Sequence, residues 1–201
     1  MKVLMLGLLI AVTPVVVQAA HLKVVNVGAP AINCVFTTAS PCTIMVNDTS
    51  DNVTLSAGGT GFLQSRSFKG LAGSAADGLF AYEYRLDLRK AVGTVNIACV
   101  DWMTISFGPV ISLDYNADQK VDQVFVVTSG GLGTIGLASA VQTASTIKFT
   151  FSKPVCEGGA PGKGDTSFFW GLVSKTAPKN VTAMLHETGG ATHVVKARSP
   201  M

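Results

Sequence analysis

Apolar and polar residues alternate along most of this chain with a period of two, and segments with the helical period are almost absent. In residues 81–88 the even positions, Tyr82, Tyr84, Leu86 and Leu88, are apolar, while Glu83, Arg85 and Asp87 lie between them. Residues 146–151 repeat the pattern as Thr-Ile-Lys-Phe-Thr-Phe. Such alternation predicts strands with one face in a core and one face in water. Short β-branched or aromatic stretches bounded by Gly, Pro, Asn or Ser extend the prediction. They cover residues 22–27, 32–36, 52–55, 79–88, 95–107, 123–128, 146–151, 167–173, 181–186 and 193–195. Ten or so strands with regular turn signals and 21 glycines predict an all-β fold, a single antiparallel β-sandwich of jelly-roll or immunoglobulin-like topology.

The first twenty residues depart from this pattern. Lys2 precedes an apolar run over residues 3–17, and the small residues Ala19 and Ala20 follow, which is the three-part layout of a secretory signal peptide. Residues 1–20 are therefore expected to be a signal peptide and 21–201 one β-sandwich domain, secreted to the extracellular space or the periplasm. The run is shorter than the roughly 20 apolar residues of a membrane span, and no later segment reaches that length, so no transmembrane segment is expected. Export also changes the meaning of the four cysteines. An even number in an oxidising compartment predicts disulfides, with Cys34–Cys42 closing a turn-rich stretch and Cys99–Cys156 tying strands distant in sequence. No CxxC spacing is present to favour zinc.

The net charge of +3 is small and scattered, with no run of Lys or Arg, which argues against nucleic acid as a partner. The densest candidate chemistry is Asp114-Tyr115-Asn116-Ala117-Asp118-Gln119-Lys120-Val121-Asp122. Side-chain oxygens fall at positions 1, 3, 5 and 9, and the Lys120 carbonyl falls at position 7, a spacing that lets a tight loop turn several hard oxygens inward. The stretch resembles the DxNxDxxxD loops of integrin-like and β-propeller repeats and the first half of an EF-hand loop, over nine residues only. The resemblance implies a Ca2+ site formed by Asp114, Asn116, Asp118, Lys120 and Asp122. It departs from an EF-hand at Gln119, where glycine is usual, and at Phe125, where a bidentate Glu is needed. An Asx-rich turn without metal is the plainer alternative.

Other chemistry is thinner. Cleavage after Ala20 would make His21 the amino terminus, and its amine and imidazole could chelate copper. In this the chain is similar to lytic polysaccharide monooxygenases and periplasmic copper carriers. The resemblance implies a Cu site completed by His186 or His193. Glu83 and Asp87 share a strand face and form a nominal glycosidase pair. Trp102, Trp170, Phe168 and Phe169 could stack sugars, although core packing is the commoner fate of such rings. Residues 131–136 match GxGxxG, yet no carboxylate follows at the spacing a dinucleotide site needs. Residues 158–164 fail as a phosphate loop. No GxSxG elbow is present. Three glycosylation sequons begin at Asn47, Asn52 and Asn180. Two functions follow as expectations. The first is a secreted binding or structural module, stabilised by calcium, that meets a polysaccharide or an extracellular protein. The second is a secreted copper-dependent enzyme or copper-binding protein.

Overall fold

The structure, a computed structural model, describes residues 18–200; of the expected signal peptide, residues 1–20, the stretch 1–17 lies outside them, and Ala19 and Ala20 open the first strand. Among the described residues twelve strands form two six-stranded sheets, and both predicted disulfides are present. In chain order the strands are β1 (Ala19–Leu22), β2 (Val24–Gly28), β3 (Asn47–Thr54), β4 (Thr60–Lys69), β5 (Phe80–Asp87), β6 (Cys99–Ser106), β7 (Val124–Ser129), β8 (Leu137–Thr143), β9 (Thr146–Cys156), β10 (Trp170–Ser174), β11 (Lys179–Glu187) and β12 (Thr192–Ser199). Sheet A runs β1-β8-β9-β6-β11-β12 and sheet B runs β2-β7-β10-β5-β4-β3. All pairings are antiparallel except β2 with β7, which is parallel, so sheet B is mixed rather than purely antiparallel.

The predicted strand over 22–27 is two strands. At Lys23 the chain leaves the edge of sheet A and enters the edge of sheet B, and Lys23 is tied down there by Gln123 and Val124. Its carbonyl accepts both their N–H groups at 3.0 Å, and its own N–H donates to Gln123 Oε1 at 2.7 Å. Residues 32–36 are not a strand. They form a 3-10 turn, Ala31–Val35, that places Ile32 and Phe36 on one buried side at helical spacing. Two strands went unpredicted. β4 is rich in Gln, Ser, Arg and Lys, and β8 in Ala and Ser, so neither carries the β-branched signal.

The main core lies between the sheets. Tyr82, Tyr84 and Leu86 of β5 and Leu172 of β10 meet Met103, Ile105, Phe149 and Leu185 of sheet A, with Trp170 against Tyr84, Phe149 and Phe151. A second core sits on the outer side of sheet B, where the 3-10 turn and residues from 68 to 79 and 111 to 115 cover Phe125, Val127 and Val173. The cover is held by backbone bonds, Leu71 N–H to the Phe36 carbonyl and Ile111 N–H to the Val173 carbonyl, and by Cys34–Cys42, which fastens the turn rather than a hairpin. Cys99–Cys156 joins β6 to β9 at directly opposed positions, so the strands it ties are distant in sequence but adjacent in the sheet. No helix among the described residues is long and apolar enough to cross a membrane.

Candidate metal centre

The 114–122 segment leaves sheet B and returns to β7 as a closed loop. Leu113 and Asp122 exchange backbone hydrogen bonds at 2.9 and 2.8 Å, which pins both ends. Inside the loop the side chains fold the backbone. Asp114 Oδ1 and Asn116 Oδ1 accept the Asp118 N–H, Asp114 Oδ2 accepts the Gln119 N–H at 2.8 Å, and Asp118 Oδ1 accepts the Lys120 N–H at 2.8 Å. Ala117 and Gln119 take left-handed φ values of 59° and 66°. Gln119 thus adopts the left-handed turn at the position where glycine is usual, so its presence does not prevent the loop from turning.

The outcome is convergence. Carboxylate oxygens of Asp114, Asp118 and Asp122 lie within 4.8 Å of one another. Oxygens bound to one calcium at about 2.3–2.6 Å can be at most about 5 Å apart, so the cluster matches the size of that ion. Asp122 is fully buried; its Oδ1 is paired with the half-exposed ammonium of Lys23 at 2.8 Å, and its Oδ2 has no hydrogen-bond partner. The pairing with Asp122 raises the Lys23 pKa. Asp118 is held below the ordinary carboxylate range, first by the Lys120 N–H and then by Asn116, with the charges of Lys23 and Lys120 adding. Beneath the loop, Tyr115 packs on Phe125 at 4.9 Å, its hydroxyl buried without a partner, and burial pushes that hydroxyl far above its usual range. A cavity of about 560 Å³ opens between Asp114, Asn116 and the 3-10 turn.

The histidine reading does not assemble. His21 lies on β1, and β8, β9 and β6 separate it from β11, so His186 is four strand spacings away, about 19 Å. His193, on β12, is further still. Both imidazoles are occupied, His186 Nδ1 by Asp101 at 2.7 Å and His193 Nε2 by Glu187 at 2.6 Å. The Glu187 carboxylate also accepts the Ser56 hydroxyl and, at 2.8 Å, the Ser56 N–H. This constellation binds serine to the carboxylate and not to the imidazole, so it ties a loop down and does not activate a nucleophile.

The glycosidase and sugar-platform readings also fall. Four residues along a strand separate Glu83 and Asp87 by about 13 Å, beyond the reach of paired carboxylates, and Arg85 stands between them. Trp170 and Phe169 are buried. Trp102 has His186 stacked on it at 4.3 Å and the Lys148 ammonium 4.4 Å from its ring centre, each from a neighbouring strand. The GxGxxG segment is a loop whose close approaches explain two of its glycines: a Cβ on Gly131 would sit 2.9 Å from Val127 Cγ1, and one on Gly133 2.2 Å from the Ser167 carbonyl.

The expected water-facing side of β5 is buried. Glu83, Arg85 and Asp87 are 6%, 5% and 4% exposed. Burial pushes the Asp87 carboxyl up, but the hydrogen bonds from Arg89 and the charges of Arg85 and Arg89 together leave it below its usual range. Burial pushes Glu83 up to about 7, with Arg66 opposing and Asp48 adding. The alternating signs of Glu83, Arg85, Asp87 and Arg89 were the available hint that this face pairs with itself instead of with water. In comparisons with known proteins, no family model, no curated protein and no solved structure matches the chain.

Proposed function

We propose that this protein is an exported, disulfide-bonded β-sandwich module whose 114–122 loop binds calcium, and that it acts outside the cytoplasm by binding a polysaccharide or another extracellular protein. The observation that carries the metal reading is Asp122, a fully buried carboxylate answered only by the Lys23 ammonium on one oxygen, which faces Asp114 and Asp118 at calcium dimensions. Asn116 and the Lys120 carbonyl complete the ligand set in this reading. Two disulfides support an oxidising compartment. The ion's role is structural: it fixes the wall of the cavity beside Asp114 and Asn116 and replaces the Lys23 ammonium as the counter-charge of Asp122.

The test is a melting curve of the purified chain in calcium and in chelator. Calcium at 100 times its dissociation constant should add about 2.7 kcal/mol, several degrees of melting temperature. Asp118→Ala should abolish the shift, and Lys23→Gln should enlarge it by removing the competing cation. Identical melts with and without calcium, together with no heat on calcium titration, would reduce the loop to an Asx turn.

A further inference from the structure

Cross-strand register lines up Asp48, Arg66 and Glu83 in one row on the outer side of sheet B. Asp48 stands opposite Arg66, and Arg66 stands opposite Glu83. Opposite charges so placed ordinarily pair. Here they do not. Arg66 turns the other way, donating from Nε to Asp48 Oδ2 at 3.0 Å and lying 4.1 Å above the Phe169 ring. Glu83 is left with no hydrogen bond and no ion pair at 6% exposure. Its neighbour on the far side is Gly171, where a Cβ would sit 2.4 Å from Phe125 Cζ, so no side chain can answer it from there. A buried carboxyl without a partner costs stability.

This carboxyl is not sealed in. Glu83 and Arg66 both line a cavity of about 250 Å³ whose other walls include Ile32, Ile44, Val46 and Leu132. Leu132 is 51% exposed and marks the mouth. The surrounding charges are already spent on one another: Asp48 on Arg66 and Gln64, Arg85 on Asp87 and Gln64, Asp87 on Arg85 and Arg89. The cavity therefore sees one unpaired carboxyl, the Asn33 side chain and one guanidinium that meets Asp48 through Nε but whose terminal amino groups make no hydrogen bond, beside a mainly apolar wall. Its volume falls just below the roughly 300 Å³ at which sites for larger ligands begin.

We propose that this cavity binds a free α-amino acid with an aliphatic side chain, its ammonium on Glu83, its carboxylate on Arg66 and its side chain against Ile44, Val46 and Leu132. A zwitterion offers its ammonium to the unpaired Glu83 and its carboxylate to the terminal amino groups of Arg66, whereas a simple amine or acid makes only one of the two contacts. The site is separate from the calcium loop. Asp118→Ala, which tests the metal, leaves it intact.

The experiment is calorimetric titration of the full chain with L-leucine, leucinamide and isovalerate. Leucine should saturate the protein by about 10 mM, with leucinamide and isovalerate at least about tenfold weaker, because each lacks one charge-assisted contact. Glu83→Gln should weaken leucine by at least about tenfold, and it keeps the buried volume, so its fold can be verified by circular dichroism. Leu132→Trp, at the exposed mouth, should block leucine without touching either charge. The proposal is overturned by absence of leucine binding, by leucinamide or isovalerate matching leucine, or by unaltered binding in folded Glu83→Gln.

Discussion

Strands β5 and β9 present the same row of large apolar side chains to the space between the sheets, and opposite conditions on their other side. Tyr82, Tyr84 and Leu86 on β5 and Ile147, Phe149 and Phe151 on β9 are all buried in the main core. On β9 the intervening Lys148 is exposed and Thr150 half-buried. On β5 the intervening Glu83, Arg85 and Asp87 are buried, because Arg66, Phe62 and Phe169 lie over them. The difference belongs to the sheets. Sheet A ends at its outer face, whereas sheet B carries a second core under loops fastened by Cys34–Cys42. Alternation reports which side of a strand faces the core; whether the other side is covered depends on chain segments far away in sequence.

The inner sides should therefore respond alike. Leu86→Ala and Phe149→Ala should each cost about 3–5 kcal/mol in urea unfolding, since both leave a cavity in one close-packed core. A cost near 1 kcal/mol at either position would show that the sheets do not share that core. The outer sides should differ. Asp87→Ala strands the buried guanidinium of Arg85, 3.1 Å from it, and should cost about 3 kcal/mol. Because its folded pKa is lowered, the Asp87 contribution is present above the ordinary carboxylate range and is lost as pH falls through the folded value. The gap between wild type and Asp87→Ala should thus narrow in acid; a gap that stays constant would assign the loss to packing alone.

What could be read from sequence follows the range of the interaction. The acidic loop was legible because its members lie within nine residues and a turning backbone brings every second one inward. The two disulfide pairs were legible from spacing and compartment. The Asp48–Arg66–Glu83 row was not, since it depends on the register of three strands and its middle member stands on β4, whose Gln, Ser, Arg and Lys residues carry little strand signal. The 3-10 turn was misread because Ile32, Val35 and Phe36 are β-formers in a run too short to display a period. The separation of His21 from His186 is likewise a matter of strand order, which spacing along the chain does not encode.

Glu83 sharpens the contrast because its sign is opposite to that of Asp87. Its folded pKa is raised to about 7 by burial, so its contribution is intact below the ordinary carboxylate range and is lost as pH climbs through about 7. Glutamine keeps the shape and removes the charge. Glu83→Gln should match wild type near the ordinary carboxylate pKa and exceed it by about 1–3 kcal/mol above neutrality. Parallel pH profiles for the two proteins would mean that Glu83 is hydrated or paired in solution. A stabilising substitution at a buried position is what a retained binding group should show, since the folded state bears a cost that a ligand relieves.

The smallest effect belongs to β9. Lys148 sits on an uncovered face, with its ammonium 4.4 Å from the centre of the Trp102 ring. Lys148→Ala removes that contact and no buried partner, so the cost should stay below about 1 kcal/mol. Equality with Asp87→Ala would require the outer face of sheet A to be covered in solution, by a second copy or by a ligand, and dilution would then separate the two cases: a loss that fades with dilution points to a second copy, and one that persists points to a bound ligand.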